Sequence, residues 1–267
     1  MLLQMGSYEQ DPESLTLIEA FEPGRKGTSY QHQTCRVRMK TFAVTVVSMP
    51  FFAFLICILW SIFYNFEEST ATHCHVMNYL PSISAAIGYE PQTYIWKVAI
   101  AIHFPPRLLV ASYYYTLFKE NVKSSFIHLS NAACVIHVVE NFALVGLSFV
   151  TSRENFEIHK TFFVIFLICS EAYMMLSLLL FTYGWRLKYT GFIHKKSVLW
   201  KCRLAALNLA CCVLTVRFYQ RHNALCEPLM YTWFCLAEYV VVLSNMGFHM
   251  TAYLDFHDKI ISVPRFS

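Results

Sequence analysis

Six long apolar runs dominate this sequence, and each is long enough to cross the hydrocarbon core of a bilayer as a helix. They lie at about Thr41–Tyr64, Tyr94–Phe118, Ile127–Val150, Thr161–Gly184, Leu199–Tyr219 and Leu229–Tyr253. Hydrophobic residues make up 56% of the chain and charged residues 14%, a balance that excludes an ordinary soluble domain. The sequence therefore predicts an all-α, polytopic membrane protein. We expect a six-transmembrane-helix bundle over residues 41–255, a disordered cytosolic tail at 1–40 and a short cytosolic tail at 256–267.

Lysine and arginine are distributed unevenly among the connections. They concentrate in the N-terminal tail, in 119–126, in 185–203 and at the C-terminus, whereas 65–93, 151–160 and 220–228 carry few. The positive-inside rule places the first group in the cytosol and the second group in the lumen. Both termini are therefore predicted to be cytosolic, and the net charge of +4 reflects this topology rather than a nucleic-acid partner.

Cys74 and Cys226 stand apart from the other cysteines because they alone fall in the predicted lumenal connections. An oxidising lumen favours a disulfide between them, which would tie the first lumenal connection to the third. The alternative is two free thiols. Most of the remaining cysteines lie in apolar runs and are interpreted as small packing residues.

Ionisable and amide side chains lie inside four of the apolar runs, and the fourth run contributes Glu171. Each ionisable group costs about 2.5–3.5 kcal/mol to insert, so such groups face other helices or a cavity rather than lipid. Helical spacing places them on one face of each span: His103 and Arg107; His137, Glu140 and Asn141; Glu238, Asn245 and His249. At a rise of about 1.5 Å per residue, His103, Glu140 and Glu238 lie roughly 14 Å from the lumenal edge, so they are predicted to be within reach of one another.

Two interpretations of these polar faces remain open. In one, the groups neutralise each other and lock the bundle, for example Arg107 with Glu140 or Glu171. In the other, they line a lumen-facing cavity in which a carboxylate orients His103 as a general base, or which holds a lipid head group. The candidate catalytic residues are then His103, Glu140 and Glu238.

Motifs typical of soluble enzymes are missing from the sequence. It has no phosphate-binding glycine loop, no GxSxG and no HExxH. The spacing of His73, Cys74 and His75 fits no standard metal site. We expect neither a metal nor a cofactor.

Four segments carry a resemblance to a known family. They are THCHVMNYLPSISAAIG (72–88), WKVAIAIHFPPRLLVASYYY (96–115), VVENFALVGLSFVTSRENFEIHK (138–160) and RHNALCEPLMYTWFCLAEYVVVLSNMGFHMTAYLDF (221–256). They closely resemble the post-GPI-attachment-to-proteins factor 2 family, part of a wider group of Frag-like and Sfk-like membrane proteins. The resemblance covers most of residues 36–256.

The resemblance implies a Golgi or ER membrane protein that remodels GPI anchors after their attachment to protein. In this process lyso-GPI is reacylated with a saturated fatty acid, which is needed for stable surface GPI-anchored proteins. The chain would be the O-acyltransferase or its essential subunit, with acyl-CoA or a phospholipid as donor. Alternatively, it would be a non-catalytic subunit that binds lyso-GPI or recruits a partner acyltransferase.

The catalytic alternative gives the candidate residues specific roles. His103, paired with Glu140 or Glu238, would deprotonate the sn-2 hydroxyl, and an amide or guanidinium such as Asn141 or Arg107 would stabilise the oxyanion. Three basic side chains at the predicted lumenal rim would hold the phosphoinositol phosphate. They are Arg217, Arg221 and His222.

Overall fold

Six long helices account for most of the computed structural model, which describes residues 5–7, 34–186 and 191–264. The helices in chain order are α1 (Met39–Tyr64), α2 (Phe66–Thr70), α3 (Ile83–Ala86), α4 (Gln92–Asn121), α5 (Ile127–Phe149), α6 (Phe156–Leu179), α7 (Phe192–Leu225), α8 (Met230–Met250) and α9 (Ala252–Asp255). A 3-10 turn at Ser124–Phe126 precedes α5, and a π-helical turn at Leu180–Gly184 extends α6. Each predicted apolar run coincides with one long helix, although α6 and α7 begin earlier than predicted.

Four segments are long and apolar enough to cross a membrane by length and composition: Met39–Tyr64, Ser124–Phe149, Phe156–Gly184 and Phe192–Leu225. The other two long helices, α4 and α8, carry many of the polar side chains described below, which lower their hydropathy. The chain is therefore a mostly helical, multi-pass membrane protein. The count of six spans and the cytosolic position of both termini stay predictions.

The long helices pack in a closed ring. α1 contacts α4, and each later helix contacts the next in the order α4, α5, α6, α7 and α8, after which α8 returns to α1. Apolar clusters fill both ends of the ring, one around Tyr113, Phe118 and Phe256 and one around Phe54 and Trp96. The polar side chains of α4, α5 and α8 lie between these clusters.

The connection 65–91, here named the cap, closes the end of the ring that we predict to be lumenal. Its turns and its helices α2 and α3 agree with the expectation that a connection of this length is folded. The Asn78 amide donates to the carbonyls of Thr70 (3.0 Å) and Leu80 (2.9 Å) and accepts from the Thr232 hydroxyl of α8 (2.8 Å). A disulfide joins Cys74 to Cys226, with 5.4 Å between their Cα atoms. These contacts hold the cap on the α7–α8 hairpin.

The opposite end of the ring carries a small antiparallel sheet, which corrects the all-α expectation. Strands β1 (Met5–Ser7), β2 (Thr34–Arg38) and β3 (Lys259–Pro264) pair in the order β1-β3-β2. The sheet forms because β2 and β3 can bring backbone donors and acceptors into register from Thr34 opposite Pro264 to Arg38 opposite Ile260. Most of the predicted tail at 1–40 lies outside the described residues, whereas its described parts are strands and the start of α1.

A buried ion pair joins α7 to α9 at this same end. The Lys201 ammonium donates to the hydroxyls of Ser197 (2.8 Å) and Thr251 (2.6 Å) and to the Asp255 carboxylate, and both charged side chains are 1% exposed. The Tyr114 hydroxyl donates to the same carboxylate at 2.6 Å. Lys201 therefore contributes to an interior network and is not a solvated loop residue.

Candidate functional site

A buried ion pair lies in the middle of the ring, between the two apolar clusters. Arg107 Nη2 on α4 is 2.7 Å from Glu140 Oε1 on α5, and the two side chains are 9% and 0% exposed. The same Nη2 donates to Nε2 of His249 on α8 at 2.8 Å. One guanidinium thus ties three helices together, and Glu140 is the carboxylate partner of Arg107 rather than Glu171.

His103 belongs to this network but does not pair with a carboxylate. Its Nδ1 lies 2.7 Å from the Val46 carbonyl oxygen, which can only accept, so Nδ1 carries the ring proton. Its Nε2 faces Nη1 of Arg107 at 3.5 Å. The predicted pairing of His103 with Glu140 or Glu238 does not form, because Arg107, one turn further along α4, occupies the space beside the ring.

The network continues into α6, where the sequence indicated Glu171, but it does so through Ser170 and Tyr173. Asn245 on α8 donates to the Ser170 hydroxyl at 2.6 Å and approaches Glu140 Oε1 at 3.3 Å. The His137 ring stacks on Tyr173, with 4.1 Å between ring centroids. These contacts favour the interpretation in which the polar groups lock the bundle.

Glu238 lies apart from this network, beside the cap. Its Oε2 accepts the backbone N–H of Ile83 at 2.9 Å, which ties α8 to the start of α3. Glu238 also lines a cavity of about 70 Å³ within the ring, together with Arg107, Asn245 and Ser84. Most of the other side chains that line the cavity are apolar, among them Ile87, Leu144, Phe163 and Phe166. Of the three predicted neighbours, His103 and Glu140 therefore both contact Arg107 in the central network, whereas Glu238 lies apart beside the cap.

Asn141 does not reach a substrate-accessible surface. Its amide donates to the His137 carbonyl of its own helix at 2.7 Å, and the side chain is 1% exposed. This intrahelical bond positions it inside the bundle, so the structure does not support a direct contact with a lipid head group.

The three basic residues predicted at the rim do not lie on one face of α7. Arg217 and Arg221 are exposed, and Arg221 pairs with Glu227 at 2.7 Å. His222 turns inward between the rings of His73 and Tyr231 and is fully buried. Helical geometry explains this difference, because residues 217 and 221 share a face and residue 222 is rotated by about 100° from 221. His222 therefore does not share the exposed face of Arg217 and Arg221.

Two groups of potential metal ligands occur among the described residues. In the first, the ligand atoms of His137, Glu140 and His249 lie within 4.8 Å of one another. The positively charged guanidinium of Arg107 already contacts Glu140 and His249, which disfavours a metal cation at the same place. In the second, Cys74 and Cys226 beside His73 are consumed by the disulfide.

Sequence reasoning missed a serine–histidine pair at the edge of the cap. Ser84 Oγ on α3 lies 2.8 Å from Nε2 of His159 on α6. The other ring nitrogen, Nδ1, lies 2.8 Å from the carbonyl oxygen of Val150, the residue that follows α5. The pair is separated by 75 residues and has no motif around the serine, so the only sequence signal was the position of both residues in connections predicted to be lumenal.

Comparison with known proteins identifies the family. The model of the Frag1/DRAM/Sfk1/Cwh43P N-terminal domain matches residues 38–259. A Drosophila pseudoobscura pseudoobscura protein named "Post-GPI attachment to proteins factor 2" is 45% identical over 83% of this chain and 87% of its own length. The Xenopus tropicalis "Acyltransferase PGAP2" is 45% identical over 85% of this chain and 91% of its own length.

A more distant relative extends this similarity to nematodes. The Caenorhabditis elegans "Post-GPI attachment to proteins factor 2" is 40% identical over 84% of this chain and 88% of its own length. No solved structure matches the chain. The matched domain, the extent of the alignments and their identity agree with the resemblance of the four sequence segments, and the chain belongs to the post-GPI attachment to proteins factor 2 family.

Proposed function

We propose that this chain is an O-acyltransferase that remodels GPI anchors after their attachment to protein, by adding a fatty acyl chain to lyso-GPI. Relatives named for post-GPI attachment and for acyltransferase activity supply the reaction class. The observation that carries the proposal is the cavity of about 70 Å³ inside the ring, which has an apolar lining and polar groups at the cap. An apolar lining with a few convergent polar groups is typical of a ligand site. At its present volume the cavity takes a reacting ester and the first methylenes of an acyl chain, and the rest of the chain extends beyond it.

The proposed reaction requires the cap to face the lumen, where the lipid of an attached GPI anchor lies. We propose six membrane spans, α1 and α4–α8, with both termini in the cytosol and residence in the Golgi, with the ER as an alternative. The distribution of lysine and arginine supports this orientation. The Cys74–Cys226 disulfide supports it as well, because such bonds persist in oxidising compartments.

We assign the polar residues to two roles in this reaction. Glu238 and Arg107 line the cavity and are placed to contact a bound lipid. His103 and Glu140 hold the Arg107 guanidinium in position, so they are positioning residues instead of an acid–base pair. Arg217 and Arg221 are exposed near the cap and remain the candidates for binding the phosphoinositol phosphate.

The test is acyl transfer to lyso-GPI by the purified protein in liposomes, with phospholipid and acyl-CoA donors supplied separately. Transfer with one donor identifies that donor class. Glu238→Gln should lower the transfer rate, whereas Glu157→Gln, an exposed substitution on the same side of the ring, should leave the rate unchanged.

A non-catalytic subunit that binds lyso-GPI or recruits an acyltransferase is the second candidate function. The buried Arg107–Glu140 ion pair favours it, because the two charges balance each other inside the bundle and such a pair stabilises helix packing. Binding of lyso-GPI without transfer from either donor, together with restored transfer on addition of a partner acyltransferase, would support this candidate.

A further inference from the structure

We propose that Ser84 is the nucleophile of the acyl transfer and carries the acyl chain as a covalent ester, with His159 as its general base. This inference rests on the proposed acyltransferase function and assigns its reacting atoms. Neither residue was among the candidates derived from the sequence.

The hydrogen bonds of His159 fix the direction of proton transfer. The Val150 carbonyl oxygen can only accept, so Nδ1 of His159 donates to it at 2.8 Å and carries the proton of the neutral ring. Nε2 is then unprotonated and accepts the Ser84 hydroxyl proton at 2.8 Å. A nucleophile hydrogen-bonded to a base, which is itself oriented by a third group, is the arrangement that activates a serine. Here a main-chain carbonyl orients the imidazole.

Both members of the pair are held in place by their own helices. His159 lies in the first turns of α6, where the Asn155 side chain accepts the Ile158 N–H at 3.1 Å and caps the helix. Ser84 lies on α3, which Ser82 caps through the Ala85 N–H at 3.1 Å. The base is 4% exposed and therefore shielded from competing water, whereas Ser84 is half-buried and can be approached.

The cavity leads away from this serine into the bundle. Ser84 is one of its lining residues, beside Ile83 and Ile87, and Leu144, Phe163 and Phe166 continue the lining. An acyl chain attached to Ser84 Oγ would place its first methylenes in this apolar space of about 70 Å³, with a gain of about 0.8 kcal/mol for each buried methylene. The nucleophile thus stands where the apolar cavity meets the cap.

The reaction consists of two balanced ester exchanges. In the first, His159 Nε2 takes the Ser84 hydroxyl proton while Oγ attacks the carbonyl carbon of an acyl phospholipid in the same leaflet. The ester C–O bond of the donor breaks, and the departing lysophospholipid oxygen takes the proton from His159. In the second, the free hydroxyl of lyso-GPI gives its proton to His159 and attacks the Ser84 ester. Ser84 leaves, regains its proton, and the acyl chain stays on the GPI lipid.

The experiment combines two measurements on the full-length protein in liposomes. A fluorophosphonate probe tests the nucleophile without reference to any lipid, because an activated serine displaces fluoride and keeps the phosphonyl group. Peptide mass spectrometry then identifies the labelled residue. Acyl transfer from phospholipid to lyso-GPI, and the acyl adduct trapped without an acceptor, test the reaction.

We expect the probe and the trapped acyl group on the peptide that contains Ser84. Ser84→Ala should lose both adducts and the transfer, and His159→Gln should slow the transfer by about 10²–10⁴-fold. Ser84→Cys should keep an adduct, now a thioester cleaved by neutral hydroxylamine, which a purely structural serine would not yield. Ser152→Ala is the matched control, since its hydroxyl contacts the Ser84 carbonyl at 3.5 Å and not the hydroxyl.

The outcomes separate this inference from the proposed function. Acyl transfer by Ser84→Ala at the wild-type rate would overturn the assignment of Ser84 as the nucleophile and leave the proposed acyltransferase function intact. Labelling of Ser84 without transfer to lyso-GPI would support Ser84 as the nucleophile and overturn lyso-GPI as the acyl acceptor. Absence of both labelling and transfer in the folded wild-type protein would overturn both.

Discussion

Individual residues in this bundle show why helical spacing alone did not identify the partners of the buried polar side chains. Helical periodicity correctly placed His103 and Arg107 on one face of α4. It did not show which of them would reach Glu140 on the neighbouring helix. The longer guanidinium reaches it at 2.7 Å, and the imidazole is left with Arg107 and the Val46 carbonyl. Side-chain length and lateral helix order decided the partner, and neither is encoded in a spacing pattern.

The Arg107–Glu140 pair yields a prediction about stability. Arg107→Met should lower the free energy of unfolding by about 3–5 kcal/mol, because it leaves a buried carboxylate without its partner. Arg107→Met combined with Glu140→Met should recover most of this loss, since no unpaired charge then remains. Denaturant unfolding in detergent measures both effects.

An exposed ion pair supplies the control for this measurement. Lys160 and Glu157 are 51% and 75% exposed, and removal of Lys160 should cost at most about 1 kcal/mol. An equal loss in the free energy of unfolding for Arg107→Met and Lys160→Met would contradict a structural role of the buried Arg107–Glu140 pair.

Glu154 gives a prediction about pH, because it holds the connection that follows Val150. The Thr151 backbone N–H and the Lys97 ammonium hold the pKa of Glu154 below its ordinary value of 4.5. A lowered folded-state pKa stabilises the protein above pH 4.5, and this contribution is lost as the pH falls through the folded-state pKa. Glu154→Gln should therefore lower Tm slightly at neutral pH, and the difference from wild type should shrink below pH 4.5. A difference that grows on acidification would contradict this assignment.

At the scale of helices, the apolar runs predicted all six long helices. No sequence pattern indicated the contact between Ser84 and His159. Run length reports a helix directly, since about 20 apolar residues suit a bilayer. Ser84 and His159 meet only because α3 of the cap lies against the start of α6, and no local pattern predicts that contact. The sheet was missed for the same reason, as its strands come from opposite ends of the chain.

The α5–α6 interface supplies a test at this scale. A Cβ atom at Gly146 of α5 would lie 2.5 Å from the Phe162 ring of α6. Gly146→Ala should therefore cost about 1–3 kcal/mol of stability through overpacking. It should also slow acyl transfer, because α6 carries His159. Thermal unfolding and transfer rates measure the two effects.

A double-mutant cycle isolates this contact. Gly146→Ala should cost less in a Phe162→Ala background, where the clashing ring is absent. Gly184→Ala is the control, since its nearest contact would be an ordinary 3.4 Å from Leu180. An equal cost of Gly146→Ala in both backgrounds would show that Phe162 is not the cause.

At the scale of the whole molecule, the ring of helices closes through α8 on α1, and the cap is fastened to the last hairpin. Cys74→Ser should lower the free energy of unfolding by about 2–5 kcal/mol, because the disulfide closes a segment of 152 residues. Reductant should destabilise the wild-type protein and have no further effect on Cys74→Ser. Cys202→Ser, at an exposed free cysteine, should match wild type in both conditions. Thermal unfolding with and without reductant measures this prediction.

The position of Cys226 near the end of the chain also bears on gene defects. A chain that terminates before residue 226 retains Cys74 without its native partner, even when the Ser84 segment has been synthesised in full. In the proposed topology this odd thiol faces the lumen, where it is available for intermolecular pairing. Products truncated before residue 226 should therefore form mixed disulfides with other lumenal proteins. Products truncated after Cys226 should not form them.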